Sequence, residues 1–303
     1  HNQHRHIYMP GQLKEVRSRI AAVKSTQQIT KAMKLVAASK FRRAQDRIIQ
    51  MRPYSAKLYD MLRNIMSGAS DVNIAYGNTR ETNHILIIII TSDRGLCGGF
   101  NSNVAKLLRN QLENKYKNQY AAGKVTALCI GKKGFEAARK YKNLQLITDY
   151  QDLFADLTFE KSMEVSEKVM QDFLDKKYDV VEVLYNFFKN QATQIPTVEQ
   201  FLPIEKLVAE TDGKTSATDF IFQPDQSGII EELVPKIIKT RFFRFLLDSN
   251  ASEHSARMMA MENATNNAEE LLRDLNIKYN RARQAAITTE LTEIVSGAAA
   301  LQG

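Results

Sequence analysis

The residues closest to a chemical motif are the glycines of TSDRGLCGGFN, residues 91–101, where Gly95, Gly98 and Gly99 follow an apolar run and open an amphipathic one. A strand-to-helix turn of this composition is where an α/β sheet offers backbone N–H groups to a phosphate. The spacing differs from the dinucleotide fingerprint, and no acidic residue stands where a ribose ligand is needed. The loop therefore reads as a structural tight turn, with Asp93 and Arg94 as a local ion pair or a contact for a partner. GKTS at 213–216 has the ending of a phosphate loop, but the first glycine of that motif would fall on Val208, so that reading fails.

Cys97 lies in the glycine loop and Cys129 in an apolar run, which gives neither a disulfide framework nor a metal site and leaves a reducing compartment as the default. Three of the five histidines fall in HNQHRH, ahead of Met9. That cluster reads as a tag or leader covering residues 1–8, with Met9 as the expected native start; no signal or transit peptide is recognised. His84 and His254 remain, each expected to be packed or on the surface, and the carboxylates are scattered. No nucleophile, base and orienting group can be assembled, so no catalytic, cofactor-binding or metal residue is assigned.

Charge is more informative. Residues 13–52 place apolar side chains at Leu13, Val16, Ile20 and Val23, and again at Ala37, Phe41, Ala44, Ile48 and Met51, the alternation of a heptad seam. Eleven cations, Lys34 among them, are read as lying off that seam against only Glu15 and Asp46, a local charge of +9 in a chain whose net charge is +8. A solvated coiled-coil face is the ordinary explanation of such a helix. So few acids for pairing within it nevertheless require something anionic outside, nucleic acid or an acidic protein surface.

The elements follow from periodicity. With 303 residues, 44% of them hydrophobic, the chain can hold one or two domains. Its longest apolar run, residues 85–90, is far short of the ~20 residues of a bilayer span, so membrane association would be through another protein. The opening helix covers residues 9–67 and passes through Pro53, and residues 67–83 make a connection. Residues 84–204 alternate strands (84–91, 125–131, 143–148) with helices (101–119, 132–142, 159–176) and close with a strand pair, 179–190 and 193–204, in which Pro196 favours an edge. This is a Rossmann-like, doubly wound sheet, largely parallel with an antiparallel addition. A polar linker at 205–226 leads to a helix at 227–301, with seam residues Ala260, Ala264, Ala268, Leu271, Leu275, Ala282 and Ala285.

At ~1.5 Å per residue the terminal helices would be about 80 and 100 Å long, against a radius of gyration of ~19 Å for a compact chain of this size. The expected fold class is thus α/β, a Rossmann-like central domain plus a long antiparallel coiled coil of the N- and C-terminal helices. The small apolar tip at 290–301 suits an apolar sleeve better than water.

The stretches IAAVKSTQQITKAMKLVAASKFRRAQ, TSDRGLCGGFNSNV, EHSARMMAMENATNNAEELL and YNRARQAAITTELTEIVSGAAAL resemble the gamma-subunit family of F-type ATP synthases, over essentially residues 9–301. The resemblance implies a rotor shaft within a ring of three alpha and three beta subunits, with a foot on the epsilon subunit and the c-ring. Proton flow would turn the shaft and cycle the beta sites through ATP synthesis or hydrolysis. It implies a non-catalytic subunit without its own cofactor, since ATP, ADP and magnesium would sit in alpha and beta. Met33 and Lys34 would meet the acidic lever loops of beta, and Arg283, Gln284 and Thr288 a catch loop. Leu291, Ile294, Val295, Ala298 and Leu301 would run in the hexamer's bearing. The implied location is the cytoplasmic face of a bacterial plasma membrane, or alternatively the matrix side of the mitochondrial inner membrane. The paired cysteines of the chloroplast form are absent, so thiol control is not implied. A basic coiled-coil nucleic-acid binder, recognisable by steep salt dependence, is the alternative; an α/β enzyme that binds nucleotide itself is a third reading.

Overall fold

The structure is a computed structural model describing residues 10–68, 74–205 and 226–303. Residues 1–8, expected to be a tag or leader, part of the expected first connection (69–73) and residues 206–225 of the expected linker, with its GKTS segment, lie outside the described residues.

Helix α1 spans Pro10–Gly68 and contains Pro53; the final helix, α6, spans Gln226–Gln302 and contains Pro235. Between them come β1 (Ile85–Ile90), α2 (Phe100–Asn110), α3 (Lys117–Ala121), β2 (Val125–Ile130), α4 (Lys132–Ala138), β3 (Gln145–Ile147), α5 (Phe159–Leu174), β4 (Val180–Asn190) and β5 (Thr193–Leu202). The sheet order is β3-β2-β1-β4-β5. The first four strands are parallel, and β5 pairs antiparallel with β4 at the edge, with Pro196 opposite Asn186. ILIIII and VTALCI are buried along their whole length, as strands covered on both faces must be.

The chain divides into two compact units. One comprises residues 37–257 and holds the sheet. Leu86, Ile88 and Ile90 pack with α5 (Val165, Val169, Phe173), with Leu62 of α1, and with Val234, Phe242, Phe245 and Leu246 of α6. Ile85, Ile87 and Ile89 pack on the other face with Val104 and Leu108 of α2 and Ala138 of α4. The first part of α6, whose FFRFLL carries three aromatics too bulky for a close helix seam, is therefore a core helix of the sheet unit.

One predicted helix is interrupted. Where the sequence gives a single helix over 101–119, α2 stops at Asn110 and Gln111–Lys115 form a π-helical turn. The cause lies on β4: Glu182, 1% exposed, accepts from Gln111 Nε2, Lys115 Nζ and Tyr116 OH. A wider turn brings the three donors to one buried carboxylate.

The other unit pairs α1 up to Val36 with α6 from Met258 onward. Contacts between Arg17 and Tyr279, Thr30 and Thr265, and Lys34 and Glu262 keep one antiparallel register. Buried and half-buried positions of α1 follow strict heptad spacing through Leu13, Val16, Ile20, Val23, Gln27, Thr30 and Lys34. Lys34 is thus on the seam rather than off it. On α6 the positions are Met261, Thr265, Ala268, Leu272, Leu275, Tyr279 and Ala282. Leu272 replaces the predicted Leu271, which is exposed, and Thr265 rather than Ala264 reaches across to Thr30, because the alternation of three and four passes through polar residues that an apolar count skips.

Candidate partner-binding surfaces

In a doubly wound sheet, ligands enter at the carboxyl ends of the strands where the strand order reverses, here between β1 and β4. In this chain that crevice is filled from within the sheet unit. Arg257 of α6 donates to the carbonyl oxygens of Gly95 at 2.5 Å and Arg94 at 3.3 Å. Ser252 donates to Asn186 O at 3.1 Å, and Asn186 Nδ2 to Phe100 O at 3.0 Å. Cys97 and Phe100 pack on Ala256.

The glycine loop is a turn whose polar groups are spent on the fold. Asp93 and Arg94 form no ion pair among the described residues: Asp93 Oδ1 accepts from the Lys132 backbone N–H at 3.0 Å and so caps α4. Thr91 Oγ1 accepts from Gly134 N at 2.7 Å. Asn101 bridges the loop, with Oδ1 accepting from Ser92 N and Nδ2 donating to Ser92 Oγ. Of the loop glycines only Gly98 has positive φ, at 61°; its neighbour Leu96 has φ 62° despite its side chain and stands exposed.

The surroundings of this loop shift two groups. Glu253, ion-paired with Arg257 at 2.9 Å, has its carboxyl pushed up by burial. Burial, with Lys40 and Arg257 nearby, holds the His254 imidazole down at about 4, and its buried Nδ1 has no hydrogen-bond partner among the described residues. The Cys129 thiol is pushed up to about 12 by burial and Cys97 is shifted the same way, so both are poor nucleophiles.

In the helix-pair unit the polar seam residues lie close together. Thr30 Oγ1 and Thr265 Oγ1 are 2.8 Å apart, and Lys34 Nζ is 3.0 Å from Glu262 Oε1. Met33 is half-buried beside them, and the outward side chains Ile29, Leu35 and Val36 are exposed. Farther along α6, Arg283, Gln284 and Thr288 are exposed, and the Thr288 hydroxyl donates to Gln284 O. Gln284 and Thr288 share a face; Arg283 lies about 100° round the helix from Gln284.

Beyond Ala286 every α6 residue is exposed, including Leu291 at 57%, Ile294 at 60%, Val295 at 66% and Leu301 at 90%. With Ala298 these residues form one stripe at steps of three and four that continues the Gln284 and Thr288 face, with no described residue of this chain against it. An apolar stripe of this size on one helix marks a surface that another molecule covers.

Residues 12–301 match the family profile of ATP synthase. The ATP synthase gamma chain of Cytophaga hutchinsonii is 53% identical over 296 residues, covering 97% of this chain and 99% of that one. The gamma chain of Chlorobaculum tepidum is 47% identical over 291 residues, with 96% and 99% covered. The chain belongs to the ATP synthase gamma-chain family. Its fold is also that of a chain in the rotor of the Euglena gracilis mitochondrial ATP synthase, with a TM-score of 0.64, 20% identity and coverage of 92% and 100%.

For a gamma chain the described surfaces sort as follows. Met33 and Lys34 sit together at the polar part of the seam, with Lys34 already engaged by Glu262, while Gln284 and Thr288 lie on one face of α6 and the tail stripe continues beyond them. Sequence reasoning missed Glu262, Thr30 and Thr265, which a heptad count that admits polar residues finds. It also missed Arg257 as the anchor of the glycine loop; Arg257 lies 162 positions from Gly95, and no local pattern links them.

Proposed function

We propose that this chain is the rotor of the central stalk in a proton-translocating F-type ATP synthase. Its angle within a threefold ring sets the states of the three catalytic sites, for synthesis or, in reverse, hydrolysis of ATP. One asymmetric element inside a symmetric ring contacts each site differently, and the coupling is reciprocal: the sites' ligands bias its angle as its angle biases their affinities. The observation that carries this reading is the match to gamma chains along nearly the whole sequence.

The finer assignments rest on that reading. The exposed stripe at Leu291, Ile294, Val295, Ala298 and Leu301 is the bearing surface against the alpha and beta subunits. Met33, Lys34, Arg283, Gln284 and Thr288 meet beta loops, and the sheet unit meets epsilon and the c-ring. Nucleotide and magnesium are held by alpha and beta. The complex is membrane-associated, and we assign this chain to its cytoplasmic face in a bacterium; among the described residues no helix is long and apolar enough to cross a membrane.

The test uses the assembled complex. Cys97 and Cys129 are buried, so Lys106→Cys at an exposed position of α2 would take an optical probe selectively. The probe should turn in three steps per revolution while the complex hydrolyses ATP. A probe that stays fixed in complexes that are turning over would exclude the rotor role.

A further inference from the structure

Three guanidinium groups converge on one side of the sheet unit, and part of their donor capacity is unused among the described residues. Arg52 of α1 donates to Asp248 Oδ1 at 2.6 Å and to Phe188 O at 2.7 Å. Arg244 of α6 reaches Asp248 Oδ2 at 3.0 Å and, at a long 3.4 Å, Glu199 Oε2. Arg241 donates to that same Glu199 oxygen at 3.1 Å and, at a long 3.4 Å, to Phe201 O. The remaining oxygen, Glu199 Oε1, accepts from Tyr185 OH at 2.6 Å. Every oxygen of the two carboxylates is therefore occupied, while three cations face two anions. Arg52 Nε is buried with no acceptor among the described residues.

The three arginines line a cleft of ≈ 190 Å³, with Tyr59 and Phe187 also in its walls. The Arg241 guanidinium lies 4.1 Å from the centroid of the Tyr59 ring, and that of Arg52 lies 4.6 Å from that of Phe187. Aromatic cover on a guanidinium face leaves its N–H edge for hydrogen bonding and holds the plane in place. Asp60 stands exposed at the rim and makes no ion pair with the three arginines among the described residues. The volume is below the ~300–1,000 Å³ of sites that enclose drug-sized ligands, so it suits a small ion rather than a nucleotide.

We propose that this cleft binds a small oxyanion of phosphate size through the unused guanidinium edges of Arg52, Arg241 and Arg244. A planar fork matches two oxygens of such an ion, and hydrogen bonds from a guanidinium to an anion are charge-assisted. The bound ion links α1 and α6, and because it binds the folded chain alone, stability follows its concentration.

The experiment is calorimetric titration of inorganic phosphate into the full chain at constant ionic strength, with chloride as the balancing anion, alongside thermal unfolding. We expect saturable binding at one site and an unfolding temperature that rises with millimolar phosphate but not with chloride. Arg241→Gln should weaken binding by about tenfold or more, the scale of losing a charged hydrogen-bond donor. Ala56→Glu, at an exposed α1 position on the cleft, supplies a tethered carboxylate without disturbing the arginines. That variant should bind no phosphate and unfold at a higher temperature in its absence. Absence of saturable binding to the wild-type chain overturns the proposal. So does phosphate affinity left equal in both variants, which would assign the ion to cations elsewhere on α1.

Discussion

In the sheet unit, Glu182 and Asp248 are almost fully buried and each accepts from three donors, whereas in the helix pair Thr30 and Lys34 each meet a single side chain across a narrow seam. The first arrangement satisfies the buried carboxylates from within. The second leaves Ile29, Leu35, Val36, Ile277 and the stripe beyond Ala286 facing outward. A two-helix seam gains little from propensity and much from whatever covers its outer faces. The difference implies that the sheet unit folds on its own resources, while the helix pair reaches full stability only inside its complex.

The largest expected effect is in the sheet. Ile88→Ala, in the middle of β1, should lower the opening free energy of that unit by about 4 kcal/mol, whereas Leu275→Ala on the seam should cost about 2 kcal/mol because a helix pair can close around the gap. Hydrogen exchange of β1 and α6 amides in the isolated chain reads the two separately. Equal losses would remove the contrast.

Next is acid sensitivity in the sheet unit. The folded His254 value of about 4 is below its ordinary 6.5, so the folded state holds fewer protons on it than the unfolded state does. Its contribution is intact above pH 6.5 and lost as pH falls towards 4, on the order of 3 kcal/mol when fully developed. Glu253, shifted upward, works in the opposite direction, so the comparison must be with His254→Gln, whose unfolding curve should be flatter across that interval. A steepness unchanged by the substitution would show that His254 is not the sensor.

The smallest effect on the chain is expected at Lys34. The pair with Glu262 is half exposed, and Lys34→Ala should change stability by less than about 1 kcal/mol. In the assembled complex the same site should matter more. Exchanging the charges, Lys34→Glu with Glu262→Lys, keeps the pair but reverses what a partner meets, and should reduce ATP made per proton translocated. Unchanged coupling would remove this level of the seam from the contact surface.

Much of the architecture could be read from residue patterns. Six consecutive apolar residues in β1, and a run interrupted only by Thr126 in β2, require cover on both faces, and Pro196 belongs at an edge, where β5 lies. The small apolar composition of residues 290–301 marked a tip that something covers, while its individual stripe residues came from the family resemblance. What escaped depends on distant partners. The π-helical turn exists because Glu182 lies about 70 positions away on β4, and Asp248 is satisfied by Arg52, 196 positions distant. Polar seam positions escaped for another reason: Gln27, Thr30 and Lys34 carry the heptad through a stretch where counting apolar residues finds a gap. Roles toward particular partners came from family resemblance, since an exposed side chain says that something covers it without saying what.

The Thr30–Thr265 contact sets a limit on sliding. If the helices slipped by one heptad, Lys34 could find Glu269 in place of Glu262, so the ion pair alone would tolerate the error in that direction. Thr30 would then face Leu272, or Met258 for a slip the other way, and two hydroxyls would be left without each other. A polar pair at a seam position is known to fix register at some cost in stability. Load directed along the helices must break this contact before they can creep, whereas rotation of both helices together leaves it whole. The pair thus works as an index mark that keeps the two ends of the chain in phase under torque.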